Sequence, residues 1–240
     1  FALSSVKGPG DSDVSGANAG ESPFVRGLVN LQDFTADEMK NRWGDNGLDQ
    51  LTTTSNWTST NKFFKYMYDR LYYIIPQSTN LILILKNNNV NYSNKEGAIA
   101  ELRFLRALSY YYIVDLFGKG VLVNDENFNT PTPLPESNRK QLFEFVESEL
   151  KAIEEMLPPT NTYGRANKSA ARTLLAKLYL NAEVYTGTKR YDDAATYLNK
   201  VITEGGYSLE GNYRLNFSTD NNTSKEIIFP KFIIHSVEPS

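Results

Sequence analysis

The stretch from Asn94 to Gly118 constrains the fold more than any other part of the sequence. Alternating spacings of four and three residues place six of its side chains in one helical stripe: Ala98, Leu102, Leu105, Ser109, Tyr112 and Leu116. Ser93 and Glu96 have the spacing of a capping box, and Gly118 stands where helices commonly end in the left-handed conformation. The sequence therefore predicts a helix of about six turns.

This helix is more apolar than one stripe requires, so neighbours must cover it on more than one side. The side chains that widen its apolar face are Ile99, Phe104, Leu108, Tyr111, Ile113 and Val114. Apolar periodicity predicts further helices from about Asn61, over 137–156, over 169–186 and over 190–204. We expect Pro76 to interrupt or kink the first of these, because proline lacks the backbone N–H that a helix interior uses.

Composition excludes several classes of protein. The 240 residues carry a net charge of −3 with no basic run, so nothing indicates nucleic-acid binding. Cysteine is absent, which excludes a disulfide framework, a thiolate metal site and a cysteine nucleophile. His235 is the only histidine, and no glycine-rich phosphate loop is present, so the sequence predicts no cofactor and no multi-histidine metal site.

The remaining segments are assigned from local composition. Residues 1–22 are rich in Gly, Ser, Asp and Asn and predict a flexible lead-in, followed by one helical domain over 23–240. Residues 35–38 have a capping-box pattern that predicts a short helix. Alternate prolines over 131–135 predict an extended connector. Residues 224–235 contain two short apolar runs and predict one or two short strands broken by Pro230.

The segments 169–186 and 190–204 together suggest a repeat. Small and apolar positions in the first lead through a short turn into a similar pattern in the second. This arrangement is typical of a tetratricopeptide-like helical hairpin, in which each unit covers its neighbour. The pair formed by 61–86 and 94–118 is a more diverged candidate, and the sequence shows no regular 34-residue period.

Three stretches in this order resemble the SusD/RagB family of outer-membrane nutrient-binding lipoproteins from Bacteroidetes. They read ELRFLRALSYYYIVDLFG, TPTPLPESNRKQLFEFVESELKAIEEMLP and GRANKSAARTLLAKLYLNAEVYTGTKRYDDAATYLNKVI. The resemblance extends over about residues 24–217. The chain departs from the family pattern after Gly118, where it reads KGVLV in place of a segment that contains proline. Family members are also about twice as long and begin at a lipid-bearing cysteine, so the chain resembles their helical N-terminal half.

The resemblance implies a mostly α-helical, SusD-like fold with tetratricopeptide-like hairpins and an irregular ligand-facing region. It implies a non-catalytic protein that binds glycans, or in some members peptides, at the cell surface. It also implies delivery of the ligand to a SusC-type TonB-dependent transporter in the outer membrane. Attachment to the membrane would depend on a lipid anchor that this chain does not contain.

The loop Trp43-Gly-Asp-Asn46 is the best candidate for a ligand site. An indole ring can stack on the apolar face of a sugar, while Asn46 or Asp45 can hydrogen-bond to its hydroxyls. The family resemblance implies a glycan-binding role for Trp43 and Asn46 in particular. The alternative is that Trp43 anchors the loop to the core and Asn46 forms a turn. For the other tryptophan, Trp57, the sequence favours a packing role.

Charged residues elsewhere favour structural roles. Adjacent acids such as Glu154 and Glu155 point about 100° apart on a helix, so they do not form the facing pair that glycoside hydrolysis needs. We interpret Glu154 and Glu155 as a solvated face. Arg103 and Arg106 lie within the central helix and are expected to pair with carboxylates or carbonyls, with Asp115 or Glu101 as candidates.

The leading hypothesis is therefore non-enzymatic glycan capture. A peptide-binding member of the same family and a helical-repeat scaffold for protein docking are the alternatives. A hydrolase would require two carboxyl groups that face each other in a cleft and come from distant segments.

Overall fold

A computed structural model of the protein describes residues 14–18, 20–36, 38–42, 47–52, 56–87 and 89–230. The chain divides into two compact units. The first comprises Phe1–Ile74 with Lys231–Ser240, and the second comprises Ile75–Pro230. The domain boundary predicted between residues 22 and 23 stays a prediction.

The described residues form α-helices, one small sheet and short 3-10 turns, so the mostly α-helical prediction is confirmed. The helices are α1 (Phe24–Leu31), α2 (Leu48–Leu51), α3 (Lys62–Lys86), α4 (Lys95–Leu116), α5 (Arg139–Ile153), α6 (Lys168–Leu180), α7 (Ala182–Thr186) and α8 (Tyr191–Glu204). The strands are β1 (Lys119–Val121) and β2 (Glu136–Asn138). None of the helices in these ranges combines the length and the apolar character that a bilayer crossing requires.

Helix α4 confirms the central prediction. It ends before Gly118, whose φ of +74° is the left-handed conformation that glycine adopts without steric cost. The Gly118 N–H donates to the carbonyl of Ile113 at 2.9 Å, which closes the helix end. The capping box predicted at Ser93 and Glu96 is wrong, because Asn94 precedes the first turn and its side chain makes no capping bond.

Burial of α4 follows the wide apolar face and not the narrow stripe. Its buried side chains are Ile99, Ala100, Phe104, Arg106, Ala107, Leu108, Ser109, Tyr110, Tyr111, Ile113 and Val114. Of the six residues in the predicted stripe, only Ser109 is among them. Helices α5 and α6 both pack against α4, as expected for a helix that must be covered on more than one side.

The strands β1 and β2 form an antiparallel hairpin that the sequence did not predict. Lys119 pairs with Asn138, and Val121 pairs with Glu136. Asn138 then caps α5: its side chain accepts from the N–H of Gln141, and the Gln141 side chain accepts from the N–H of Asn138. This reciprocal pair is a capping box, and it explains why α5 begins where the hairpin ends.

Helices α6 and α8 form the predicted tetratricopeptide-like hairpin. Small side chains of α6, among them Ala170, Ala171 and Ala176, are buried and allow close approach of a neighbour. Helix α8 packs against α6 and buries Ala194 and Val201. The short helix α7 lies between them in sequence, where one continuous helix was predicted over 169–186.

Pro76 does not interrupt α3, which is one helix of 25 residues with this proline inside it, and the alternative of a kink stays a prediction. The hydroxyl of Thr79 donates to the carbonyl of Ile75 at 2.9 Å within the same turn. Back-bonding of this kind by a threonine often accompanies a bend in a helix.

Three further local predictions differ from the structure. The segment after Pro23 forms α1, a helix that was not among those predicted from the sequence. No helix follows Thr35 in residues 38–42, since the Thr35 hydroxyl donates back to the carbonyl of Leu31 at 2.7 Å. Residues 224–230 contain no strand, and the rest of that predicted segment, including His235, lies outside the described residues.

Candidate functional site

The predicted site residues Trp43, Asp45 and Asn46 lie outside the described residues. The structure describes both flanks of this loop. On the carboxyl side, Gly47 precedes α2 with a φ of +91°, a conformation that favours glycine. Asn61 donates from Nδ2 to the Gly47 carbonyl at 2.7 Å and accepts from the N–H of Phe63 at 3.0 Å. One buried amide therefore joins the end of the loop to the start of α3.

An open cavity of about 730 Å³ lies in the first unit beside these flanks. Its lining residues are Asn18, Glu21, Val25, Arg26, Val29, Asn30, Phe34, Asn41 and Leu48. Asn41 and Leu48 stand on the two sides of the 43–46 loop in the sequence. The cavity has the size of a typical small-ligand site, which is about 300–1,000 Å³.

The lining combines apolar and polar groups. Val25 and Val29 on α1, together with Leu48, supply an apolar surface. Arg26 and Glu21 add one positive and one negative charge, so the charges of the described lining balance. Such a surface suits a neutral ligand with apolar C–H faces and many hydroxyl groups.

Two polar side chains of this cavity are fixed by other contacts. Glu21 is paired with Lys62 at 2.5 Å, which leaves its second carboxylate oxygen as an acceptor. Arg26 donates from Nη1 to the carbonyl of Gly20.

Asn30 is only 1% exposed, and its Nδ2 has no hydrogen-bond partner among the described residues. A buried donor without a partner is rare in folded proteins.

The contribution of α1 to this cavity was not predicted from the sequence. No separate helix was predicted over Phe24–Leu31, although Val25 and Val29 have the four-residue spacing of one helical face. Charged residues beside a predicted loop carry no specific signal in a single sequence. Only the fold brings Glu21 and Arg26 to the same cavity as the flanks of the loop.

Trp57 is 36% exposed, so it lies outside the buried core, and its packing role stays a prediction. The acid pair Glu154-Glu155, which directly follows α5, is not the solvated face that was predicted. Glu154 is buried and accepts from Arg172 at 2.8 Å, whereas Glu155 is exposed and pairs with Lys168.

No cluster of three or more potential metal ligands occurs within the described ranges.

A second, charged cleft of about 290 Å³ lies in the second unit. Arg106, 2% exposed, donates to Glu149 at 2.7 Å and to Asp125 at 2.5 Å. Arg103 binds the same Glu149 carboxylate at 2.8 Å, and Lys86 binds Asp125. Pairing of both arginines with carboxylates is confirmed, but the partners are Glu149 and Asp125 and not the Asp115 or Glu101 that were predicted.

The charges in this cleft stabilise one another. Burial alone would raise the pKa of Asp125, but hydrogen bonds from Lys86 and Arg106 outweigh it and lower that pKa. Burial would likewise lower the pKa of Arg106, but Glu149 and Asp125 hold it above its ordinary value. Because these carboxylates are already bound by cations, we assign the cluster a structural role.

Residues 20–180 match the SusD-like protein family described as "Starch-binding associating with outer membrane". This match covers more than half of the chain, and the protein therefore belongs to the SusD-like family. The predicted family resemblance is confirmed.

Two curated relatives illustrate the relationship. The starch-binding protein SusD of Bacteroides thetaiotaomicron is 37% identical over 228 residues, which are 92% of this chain and 40% of the relative. A SusD-like protein of Bacteroides ovatus is 31% identical over 144 residues, which are 58% of this chain and 26% of the relative. The chain thus spans less than half the length of these relatives.

Solved structures show the same fold. A crystal structure with xylogluco-oligosaccharide superposes with a TM-score of 0.73 and 25% identity, over 85% of this chain and 42% of that one. A laminarin-binding SusD-like protein superposes with a TM-score of 0.61 and 19% identity, over 85% of this chain and 50% of that one. These superpositions confirm that the chain has a SusD-like fold.

Proposed function

We propose that this protein captures glycans at the cell surface without catalysing a reaction, and delivers them to a SusC-type TonB-dependent transporter. Family membership carries this proposal, since the family is described as starch-binding and associated with the outer membrane. The relative named as a starch-binding protein and the neighbour solved with a xylogluco-oligosaccharide support a carbohydrate ligand.

The glycan binds, in this proposal, at the cavity of the first unit and the adjacent loop. Trp43 stacks on a sugar ring, because an indole offers a large contact area at a small cost in conformational entropy. Asn46 and Asp45 hydrogen-bond to hydroxyl groups and fix the orientation of the ring. Arg26 and Glu21 extend the same polar surface, since both line the cavity whose rim includes the flanks of the loop.

The described cavity lining supports binding more than hydrolysis. Canonical glycosidases place two carboxyl groups about 5–9.5 Å apart across the scissile bond. Glu21 is the single carboxylate among the described lining residues, and Lys62 neutralises it. Asp45 is interpreted as a hydrogen-bonding group in the ligand-facing loop.

The proposed location is the outer membrane, with the protein exposed at the cell surface and held by a lipid anchor in its full-length form. Capture beside a transporter requires a ligand that is released and not altered. Binding through ring stacking and hydroxyl hydrogen bonds meets this requirement, because each contact is weak and reversible.

Affinity electrophoresis tests the proposal. The full-length protein, Trp43→Ala and Trp57→Ala are run through gels that contain plant, host or microbial polysaccharides. We expect one polysaccharide to retard the wild type and Trp57→Ala but not Trp43→Ala. Trp57 is the matched control, since it is the other tryptophan and is partly exposed.

Other outcomes separate the alternatives. Equal retardation of all three proteins would place the glycan site outside the Trp43 loop. No retardation by any polysaccharide would contradict glycan capture and favour peptide binding or protein docking.

A further inference from the structure

Helix α1 places an unpaired amide in the interior of the first unit. Two of its eight residues are buried, Phe24 and Asn30. Asn30 is 1% exposed, and its Nδ2 has no hydrogen-bond partner in the part of the chain that the structure describes. A donor removed from water without an acceptor costs free energy, so an apolar side chain of similar size would pack better at this position. Natural proteins depart from good packing mainly at functional sites.

A second buried asparagine of the same unit shows the usual structural arrangement. Asn61 is 5% exposed and uses both ends of its amide. Its Nδ2 donates to the Gly47 carbonyl at 2.7 Å and to Oε1 of Gln50 at 3.0 Å. Its Oδ1 accepts from the N–H of Phe63 at 3.0 Å. Asn61 is therefore satisfied within the protein, whereas the donor of Asn30 is not.

The two asparagines also differ in their relation to the cavity of about 730 Å³. Asn30 lines it, and Asn61 is not among the described lining residues. Because Asn30 is otherwise enclosed, a ligand would reach its amide from the cavity. Arg26, which also lines the cavity, precedes Asn30 by four residues, or about 6 Å along the helix. Side chains at this spacing lie next to each other, so α1 carries donor groups at two neighbouring points of the wall.

We propose that Asn30 is a specificity-determining residue of the glycan site, and that its Nδ2 donates to an oxygen of the bound sugar. This inference rests on the proposed glycan-binding function. Arg26 and Asn30 then select glycans that present two acceptor oxygens about one helical turn apart. A glycan that lacks the oxygen opposite Asn30 leaves the buried donor unpaired, and a site with an unpaired polar group rejects such an analogue.

Isothermal titration with soluble starch, xyloglucan and laminarin tests this assignment. The full-length wild type is compared with Asn30→Leu, because leucine has nearly the size of asparagine but cannot donate. Asn56→Leu is the matched control, since Asn56 is an exposed residue of the same unit and is not among the described lining residues. We expect Asn30→Leu to bind the glycan that the wild type binds about fivefold or more weakly. Asn56→Leu should bind it as the wild type does.

Thermal unfolding without glycan separates this role from a structural one. Asn30→Leu removes an unpaired buried donor, so its melting temperature should equal or exceed that of the wild type. Asn61→Leu loses three hydrogen bonds and should melt at a lower temperature. Weaker glycan binding with undiminished stability is a combination that partial unfolding of Asn30→Leu would not produce.

Two results would overturn the assignment while the proposed function stands. One is a melting temperature of Asn30→Leu clearly below that of the wild type, which would make Asn30 a structural residue. The other is unchanged affinity of Asn30→Leu, which would show that water or another group of the protein completes the amide. Failure of the wild type to bind any of the three glycans would count against the proposed function itself, and the role of Asn30 would fall with it.

Discussion

Arg106 and Glu149 form an ion pair of 2.7 Å between α4 and α5. Arg106 is 2% exposed and Glu149 is 7% exposed, so both charges are removed from bulk water. The same carboxylate also accepts from Arg103, and Arg106 reaches across to Asp125. The two helices that form the centre of the second unit are thus joined by a charge network as well as by apolar packing.

Replacing Glu149 should strongly destabilise the protein. Glu149→Gln leaves two arginines close together with less compensating charge, and breaking a buried ion pair from one side costs about 3–5 kcal/mol. Urea unfolding monitored by circular dichroism would measure the loss. Glu144→Gln is the control on the same helix: its pair with Lys140 is exposed at 4.0 Å, and we expect a change below about 0.5 kcal/mol. Equal effects of the two substitutions would contradict the structural role of the network.

Lowering the pH should weaken the contribution of Asp125 to the stability of the folded protein. Its pKa in the folded protein is lowered by hydrogen bonds from Lys86 and Arg106, which outweigh the opposing effect of burial. A lowered folded pKa means that stability is fully present above the unfolded value of about 3.9 and is lost as the pH falls through the folded value. The difference in unfolding free energy between wild type and Asp125→Asn should therefore shrink below about pH 4. A difference that grows on acidification would refute this assignment.

Two asparagines that precede helices should differ in how much they contribute to the free energy of unfolding. Asn138 accepts from the Gln141 N–H at 3.0 Å, whereas the Asn94 side chain makes no capping bond to α4. Loss of a capping side chain costs about 1 kcal/mol, so Asn138→Ala should lower the unfolding free energy by that amount. Asn94→Ala should have a smaller effect. Thermal and urea unfolding of the two variants side by side would test this difference. A larger loss of stability in Asn94→Ala than in Asn138→Ala would contradict the prediction.

The long amphipathic segments could be predicted from the sequence, and the short elements could not. Helices α4, α5 and α8 have apolar residues at helical spacing over three or more turns, so periodicity alone identifies them. The strands β1 and β2 have three residues each, too few for a recognisable alternation. Helix α3 continues through Pro76 because tertiary packing outweighs local propensity, which a single sequence does not show.

The sequence predicted that Arg103 and Arg106 form ion pairs, but it did not predict which carboxylates are their partners. A buried arginine in an apolar helix face must meet a carboxylate, so pairing of Arg106 followed from physical chemistry. The choice of Glu149, 43 residues away, depends on how α4 and α5 cross. The proposed glycan site is similar in this respect. A loop that contains a tryptophan can be recognised in the sequence, but its companion residues on α1 become visible only in the fold.

The final prediction concerns Arg26 in the cavity of the first unit. If the glycan occupies this cavity, the guanidinium can donate to sugar hydroxyls, and a hydrogen bond to a charged group contributes about 1.5–3 kcal/mol. Arg26→Ala should then weaken glycan binding about tenfold or more, as measured by isothermal titration with the polysaccharide that retards the wild type. Arg42→Ala is the matched control, because Arg42 also flanks the Trp43 loop but is exposed and does not line the cavity. Both variants lose one positive charge, so a general electrostatic effect would weaken binding equally. Loss at Arg26 alone would indicate a direct contact in the cavity, whereas unchanged affinity in both variants would exclude this part of the cavity from the binding surface.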